Sequence, residues 1–180
     1  MIAQGRRPWE GPPKTNQRPS GAPTDRATMS HTYHAVYVHL VFSTKERRPV
    51  FQPDADRERL CAYLAGILRN RELGHAVRIG GMPDHIHALV HLPMTVPIAD
   101  VVRDLKIHSG EWVEQTFAGA APFAWQSGYG AFSVPESLRE TVIAYIAGQA
   151  KHHEKRTFQQ ELLGLLRRHG IVYDERYVFD

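Results

Sequence analysis

The sequence predicts an α+β fold in which helices pack against an antiparallel sheet. Short segments rich in β-branched and aromatic residues alternate with longer segments of helical periodicity. Two of the short segments are separated only by a run rich in Gly and Pro, which indicates a hairpin. The order of the elements is β-α-β-β-α-β, followed by two helices. This is the ferredoxin-like arrangement, with helices on one face of the sheet and strands one and three at its centre.

The first half of the chain contains three predicted strands and one helix. Residues 34–42 form a strand because β-branched and aromatic side chains dominate them. Residues 54–71 form a helix, since apolar residues recur along one face. Residues 75–79 form the second strand, which Gly80-Gly81 turn into the third strand, over residues 83–91.

The second half is mainly helical. Pro97 starts a helix whose apolar stripe continues to Val113. Residues 131–133 form the fourth strand, and residues 135–154 form the next helix. A final helix follows it.

Capping boxes define where the last two helices begin. Ser133 and Glu136 form one such box, and Thr157 and Gln160 form the other. Gly170 is the expected stop of the final helix.

The composition is that of a globular protein in a reducing compartment. Hydrophobic residues make up 42% of the chain and charged residues 23%, and Cys61 is the only cysteine. No apolar run approaches the roughly 18 residues of a membrane span, and no signal-peptide core is present. The sequence therefore predicts a cytoplasmic location with no membrane partner.

Residues 1–28 differ from the rest of the chain. They are rich in Pro, Gly and Arg, and too few apolar residues are present to offset the entropy of ordering, so a disordered basic tail is expected. Met29 is an alternative start codon, and a basic arm that adds non-specific nucleic-acid affinity is the functional alternative. The tail accounts for the whole net charge of +3, so the expected domain over residues 29–180 is neutral.

Two histidines mark the third strand as a candidate metal site. His85 and His87 alternate with Ile86, so their side chains share one face of the strand. Two neighbouring imidazoles can bind one divalent cation. The alternative is that they lie on a solvated face. His39, on the first strand, is expected close to them because strands one and three are neighbours.

A second group of polar residues lies on the helix over residues 135–154. Tyr145, Gln149 and His152 are spaced to lie one above another on one helical face. A phenol can form a covalent intermediate, and a bound cation can polarise a phosphoryl oxygen. The alternatives are a tyrosine at the edge of the core, a surface amide and a histidine that favours the helix C-terminus.

Together these motifs resemble the single-tyrosine HUH transposases of the insertion sequence 200/605 family, the TnpA type. The resemblance extends from about Met29 to the C-terminus, with the motifs in the same order and at the same spacing. The matching stretches are Tyr37 to Lys45, Gly81 to His87, Trp125 to Val134 and Tyr145 to His153, followed by Phe158 and Glu161.

The resemblance implies cleavage and rejoining of single-stranded DNA at insertion-sequence ends through a 5′-phosphotyrosine intermediate. It implies that Tyr145 is the nucleophile, that His85 and His87 bind the metal and that Gln149 is the third ligand. The expected ion is Mg²⁺ or Mn²⁺, although imidazole usually suits softer metals than magnesium. The side chains expected beside these ligands are Asp84, His39, His152 and His153.

The resemblance also implies the partners. The DNA carries hairpins near the element ends, and the family forms a homodimer in which the tyrosine helix of one chain completes the histidine pair of the other. On chemistry alone, the candidates for phosphate contacts are Arg47, Arg48, Arg103, Lys106 and Lys151. Two departures from the family pattern, at Ala150-Lys151 and Ser109-Gly110, affect the expected DNA contacts rather than the catalytic set.

Two other functions compete with strand transfer. A domesticated relative would bind hairpin nucleic acid without cutting it, but such a protein would tolerate the loss of Tyr145 or Gln149, and both are present. A metallohydrolase would use the histidine pair as ligands of its catalytic metal. A barrel built around such a pair needs about 250 residues, and no further ligand set has the spacing of a zinc site.

Overall fold

The computed structural model describes residues 33–117, 119–120, 122–174, 176 and 178–179. The predicted disorder of residues 1–28 therefore lies outside the described residues. Within those ranges, no helix is both long enough and apolar enough to cross a membrane.

Four strands and five α-helices make up the described part of the chain. In order they are β1 (Tyr37–Ser43), α1 (Asp54–Asn70), β2 (His75–Met82), β3 (His85–His91), α2 (Ile98–Thr116), β4 (Gly130–Val134), α3 (Arg139–Ala147), α4 (Gln149–His153) and α5 (Phe158–Arg168). The strands pair in the order β2-β3-β1-β4, and every pair is antiparallel. The predicted α+β, ferredoxin-like sheet is confirmed, with β1 and β3 at its centre.

The two faces of the sheet are covered by different helices. On one face, Leu40, Phe42 and Ile86 join the apolar side chains of α1 and α2 in the main core. On the opposite face, Val41 packs against residues of α5, and Leu89 packs against Ile146 of α3. The strand alternation thus turns His85 and His87 toward the C-terminal helices and away from solvent.

The predicted helix over residues 135–154 is divided into three pieces. A 3-10 turn at Glu136–Leu138 precedes α3, and Gly148 separates α3 from α4. Glycine is among the weakest helix formers, which favours a break at this position. The capping box at Ser133 was wrong, because Ser133 belongs to β4 and Pro135 precedes the 3-10 turn without a side-chain cap.

The other capping box is confirmed. The Gln160 backbone N–H donates to Thr157 Oγ1 at 3.3 Å, and the Thr157 backbone N–H donates to Gln160 Oε1 at 3.1 Å. Gly170 follows α5 with φ at 65°, a left-handed conformation suited to glycine after a helix.

The glycine pair between β2 and β3 does not form the predicted turn. Gly80 and Gly81 remain in β2, where they pair with His87 and Ile86, and the chain reverses at Pro83-Asp84. Gly80 instead allows α3 to approach, since a Cβ atom there would lie 3.0 Å from both the carbonyl oxygen and Cγ2 of Ile146. The helix that carries Tyr145 is thereby held close to the sheet.

Candidate metal and nucleophile site

His85 and His87 lie buried beneath the C-terminal helices, with exposed fractions of 1% and 0%. Each imidazole uses its Nδ1 atom for a side-chain contact, His85 with the turn before β3 and His87 with β1. His85 Nδ1 lies 2.7 Å from Asp84 Oδ1, and His87 Nδ1 lies 3.0 Å from His39 Nε2. These hydrogen bonds orient both rings, so that the two Nε2 atoms are directed toward the same carboxylate, that of Glu161.

Glu161 lies at the centre of this group, although no role was predicted for it from the sequence. Its Oε2 atom is 3.7 Å from His85 Nε2 and 3.2 Å from His87 Nε2. The only signal was its place at the end of the family resemblance. An acidic residue in the first turn of a helix is normally explained by the helix dipole and a solvated position, yet Glu161 is only 3% exposed.

Tyr145 and Gln149 reach the same carboxylate in spite of the break at Gly148. The Tyr145 hydroxyl donates to Glu161 Oε1, and Gln149 Nε2 donates to the same atom at 2.9 Å. The rings of Tyr145 and His87 have their centroids 5.8 Å apart. The structure thus brings together the four residues that the sequence analysis selected for catalysis and metal binding.

The histidine pair at the end of α4 joins the site from its outer side. His153 Nε2 lies 3.2 Å from Glu161 Oε2, and His152 Nε2 lies 3.6 Å from Glu161 Oε1. Asp84, His39, His152 and His153 are therefore all beside the predicted ligands, as expected from the sequence.

The electrostatics of the group follow from its burial. Burial, together with the neighbouring His87, lowers the pKa of His39 to about 3, and burial also lowers the pKa of His87. Both imidazoles are neutral at pH 7, which leaves a nitrogen lone pair on each ring.

The carboxylate and the phenol are shifted in opposite directions. Burial opposes ionisation of Glu161, but the hydrogen bonds from His87, Tyr145 and Gln149 hold its pKa well below the usual range. Burial first, and then the hydrogen bond and charge of Glu161, raise the pKa of Tyr145 above its ordinary value. Tyr145 is therefore a protonated phenol that donates to an ionised carboxylate.

The donor set fits a divalent cation. His85 Nε2 and Gln149 Oε1 are buried and have no hydrogen-bond partner, which is unusual for polar atoms in a protein interior. One atom each from His85, His153 and Glu161 lie within 4.8 Å of one another. Imidazole nitrogen and carboxylate or amide oxygen are ordinary metal ligands.

The candidate DNA-contacting residues occupy different surroundings. The Lys106 ammonium donates to the carbonyl oxygens of Gln126, Ser127 and Gly128, at 2.6, 3.2 and 2.7 Å, so its hydrogen bonds hold that loop. Arg103 pairs with Asp100 at 2.6 Å.

The other candidate cations, like Arg103, are exposed. Arg48 donates to the Pro122 carbonyl oxygen at 2.9 Å, and Lys151 is exposed. Arg47 lines a groove together with Asp84, His85 and His153. The position of Arg47 beside the histidines is the one that best suits a phosphate near the site.

Comparison with known proteins places the chain among transposases. Residues 32–149 match the family model described as "Transposase IS200 like". The crystal structure of a candidate transposase from Deinococcus radiodurans R1 is 25% identical and has a TM-score of 0.54. This likeness covers 69% of this chain and 98% of that one.

A second solved structure is that of a REP-associated tyrosine transposase bound to a REP hairpin. It is 13% identical, with a TM-score of 0.51, and the likeness covers 69% of this chain and 73% of that one, so it shows the fold alone. No curated protein matches the chain. The family match ends at Gln149, so Glu161 and the histidine pair of α4 lie beyond it.

Proposed function

Because the chain belongs to the family of IS200-like transposases, we propose that it cleaves and rejoins single-stranded DNA at insertion-sequence ends through Tyr145. The observation that carries the proposal is the position of this tyrosine. Its hydroxyl meets Glu161, and its ring lies beside that of the buried His87.

The chemistry conserves the energy of the phosphodiester. The Tyr145 oxygen loses its proton and attacks the phosphorus, forming an O–P bond to the 5′ phosphate while the bond to the 3′ oxygen breaks. The leaving 3′ oxygen takes up a proton. A later 3′-hydroxyl attacks the phosphotyrosine, which restores a phosphodiester bond and releases the Tyr145 hydroxyl. Strand transfer therefore needs no nucleotide cofactor.

Tyr145 must be activated before it can react. Its raised pKa means that the phenol is a weaker acid here than in water, and its proton is held by Glu161. We infer that the state described here is a resting one, in which the nucleophile is positioned but not ionised.

We assign the divalent metal, Mg²⁺ or Mn²⁺, to His85, His87 and Gln149. When bound, such an ion polarises a phosphoryl oxygen of the scissile bond. The unpartnered His85 Nε2 and Gln149 Oε1 support this set. The contacts of Asp84 and His39 with the two Nδ1 atoms support it further, because partners of this kind fix the orientation of metal-binding imidazoles.

We also propose that the DNA is recognised through hairpins near the element ends. The REP-associated tyrosine transposase is bound to a REP hairpin. In this chain Arg47 lies beside the site and Lys151 is exposed on the surface, and both can contact phosphate. A homodimer with sites completed in trans is what the family resemblance implies. The competing arrangement is a site completed in cis, which the contacts between Tyr145 and its own sheet support.

The experiment is a denaturing-gel assay for a covalent protein–DNA adduct. It uses single-stranded oligonucleotides from both flanks of the gene, with Mn²⁺, Mg²⁺ or a chelator, and compares wild type with Tyr145→Phe. Tyr129→Phe is the matched control, since Tyr129 is 43% exposed and contacts Lys106 instead of the histidines. We expect a metal-dependent adduct that Tyr145→Phe abolishes and Tyr129→Phe retains.

Two results would change the proposal. An adduct that persists in Tyr145→Phe would assign the nucleophile to another tyrosine, with Tyr129 and Tyr173 as the next to test. A wild type that binds hairpin DNA without forming an adduct would instead favour the domesticated, binding-only function.

A further inference from the structure

The least expected feature of the site is a buried anion with no cationic partner of its own. The Glu161 side chain is 1% exposed, and among the described residues no Lys or Arg forms an ion pair with it. Besides the Tyr145 hydroxyl and the Gln149 amide, its partners within 4 Å are the Nε2 atoms of four histidines, His85, His87, His152 and His153. A buried carboxylate is costly unless a positive charge balances it.

The hydrogen bonds of Glu161 are divided between its two oxygens. Oε1 accepts from Tyr145 and Gln149, and no imidazole lies closer to it than His152 Nε2, at 3.6 Å. Oε2 faces the three remaining imidazoles, at 3.2 Å from His87, 3.2 Å from His153 and 3.7 Å from His85. One oxygen thus positions the nucleophile, and the other faces the histidines that bind the metal.

The spacing around Oε2 is that of ligands around one ion. In an octahedral site with bonds of about 2.1 Å, neighbouring ligand atoms lie about 3 Å apart. Glu161 Oε2 lies 3.2 Å from His153 Nε2 and 3.7 Å from His85 Nε2, one atom each from these three residues lies within 4.8 Å of the others, and His85 Nε2 has no hydrogen-bond partner.

We propose that the Glu161 carboxylate is itself a ligand of the divalent cation, so that the site contains an anionic oxygen as well as imidazoles and an amide. This inference rests on the proposed function, because it concerns the same cation. It explains how a site built on histidines can accept magnesium or manganese, which favour carboxylate oxygen. It also gives the buried charge the positive partner that the described side chains do not provide.

The test measures Mn²⁺ binding by isothermal titration calorimetry on the full chain without DNA. The variants are Glu161→Gln, Glu161→Asp and His85→Ala, with Glu111→Gln as the matched control, since Glu111 is exposed on α2, beyond the other face of the sheet. We expect Glu161→Gln to weaken Mn²⁺ binding roughly tenfold or more, and Glu161→Asp to bind more tightly than Glu161→Gln, because it keeps the charge. Glu111→Gln should bind like wild type.

Thermal unfolding separates a ligand from a structural support. Without metal, Glu161→Gln should unfold close to the wild-type temperature, because glutamine keeps an oxygen that can accept the hydrogen bonds of Tyr145 and Gln149. Added Mn²⁺ should raise its unfolding temperature less than that of wild type.

Several results would overturn the inference. These are wild-type Mn²⁺ affinity in Glu161→Gln, equal affinities for the Gln and Asp variants, or a loss of metal-free stability that parallels the loss of binding. His85→Ala distinguishes the two proposals. If it binds Mn²⁺ like wild type, the histidine metal site of the proposed function fails; if only the Glu161 variants behave like wild type, the inference alone fails.

Discussion

His39 shows how a buried neutral imidazole can hold the geometry of its neighbours. It lies on the central strand β1, 3% exposed, and shares a 3.0 Å hydrogen bond with His87 Nδ1. Its ring also meets the edge of Tyr145, with centroids 6.1 Å apart. His39 therefore contacts both His87, proposed above as a metal ligand, and Tyr145, proposed as the nucleophile.

The lowered pKa of His39 predicts a loss of stability in acid. Its pKa falls from 6.5 to about 3 in the folded chain, so below pH 6.5 the unfolded chain binds more protons and the free energy of unfolding decreases as pH falls. One such group contributes about 1.4 kcal/mol per pH unit. In His39→Gln this contribution is absent. The difference in free energy of unfolding between wild type and His39→Gln should therefore narrow by about 1.4 kcal/mol for each pH unit from pH 6 to pH 4.

Urea unfolding at several pH values measures this difference. His75→Gln is the control, because His75 is exposed, and its profile should run parallel to that of wild type. A parallel profile for His39→Gln as well would contradict the prediction.

Most residues of the site could be predicted from local spacing within one strand or one helix. Glu161 could not, because it reaches the site through packing between elements that are distant in sequence. Strand alternation places His85 and His87 on one face, and helical spacing brings Tyr145 near Gln149. Glu161 reaches His87 across 74 positions of sequence, through the way α5 folds back over the sheet. No periodicity encodes that contact.

The helices and strands were also predictable only where local sequence patterns determine them. Runs of β-branched and aromatic residues, and an apolar stripe with a period of 3.6, predicted the strands of the described part and the two helices of the main core. The break at Gly148 and the position of the turn at Pro83-Asp84 depend instead on which backbones come close together. Gly80, interpreted from sequence as part of a turn, is an example, since its importance comes from Ile146 on another element.

The contact between β2 and α3 predicts the effect of a methyl group at Gly80. In Gly80→Ala the new Cβ atom would lie 3.0 Å from the Ile146 carbonyl oxygen and Cγ2, so α3 must move away from the sheet. Overpacking of this kind typically lowers the free energy of unfolding by about 1–3 kcal/mol. Because Tyr145 precedes Ile146, we expect both a lower free energy of unfolding and less covalent adduct.

Gly66→Ala is the matched control for this substitution. Gly66 lies inside α1, and nothing lies within 4 Å of a Cβ atom built there. Alanine is the better helix former by about 1 kcal/mol, so this variant should be more stable with unchanged adduct formation. Chemical denaturation and the gel assay measure the two effects. Equal stability of wild type and Gly80→Ala would mean that α3 does not depend on this close approach.

The main apolar core and the polar candidate site lie on opposite faces of the sheet. The face of the sheet that packs against α1 and α2 holds the main apolar core, and the face beneath α3, α4 and α5 holds the polar site. The second face is stabilised by small apolar clusters at its sides. Ile146 is 2% exposed and packs against Leu89 and Val134 of the same chain, and it directly follows Tyr145, the proposed nucleophile.

This packing predicts how the active site is assembled. If Tyr145 acts on the histidine pair of its own chain, a mixture of His85→Ala and Tyr145→Phe chains contains no intact site. In a homodimer with sites completed in trans, the same mixture contains one, since one chain provides the tyrosine and the other the histidines. One chain alone brings Tyr145 to Glu161 and Ile146 to Leu89, so each chain can complete its own site and we expect no adduct from the mixture. The gel assay on co-expressed, differently sized chains measures it, and an adduct on the His85→Ala chain would establish the trans homodimer implied by the family resemblance.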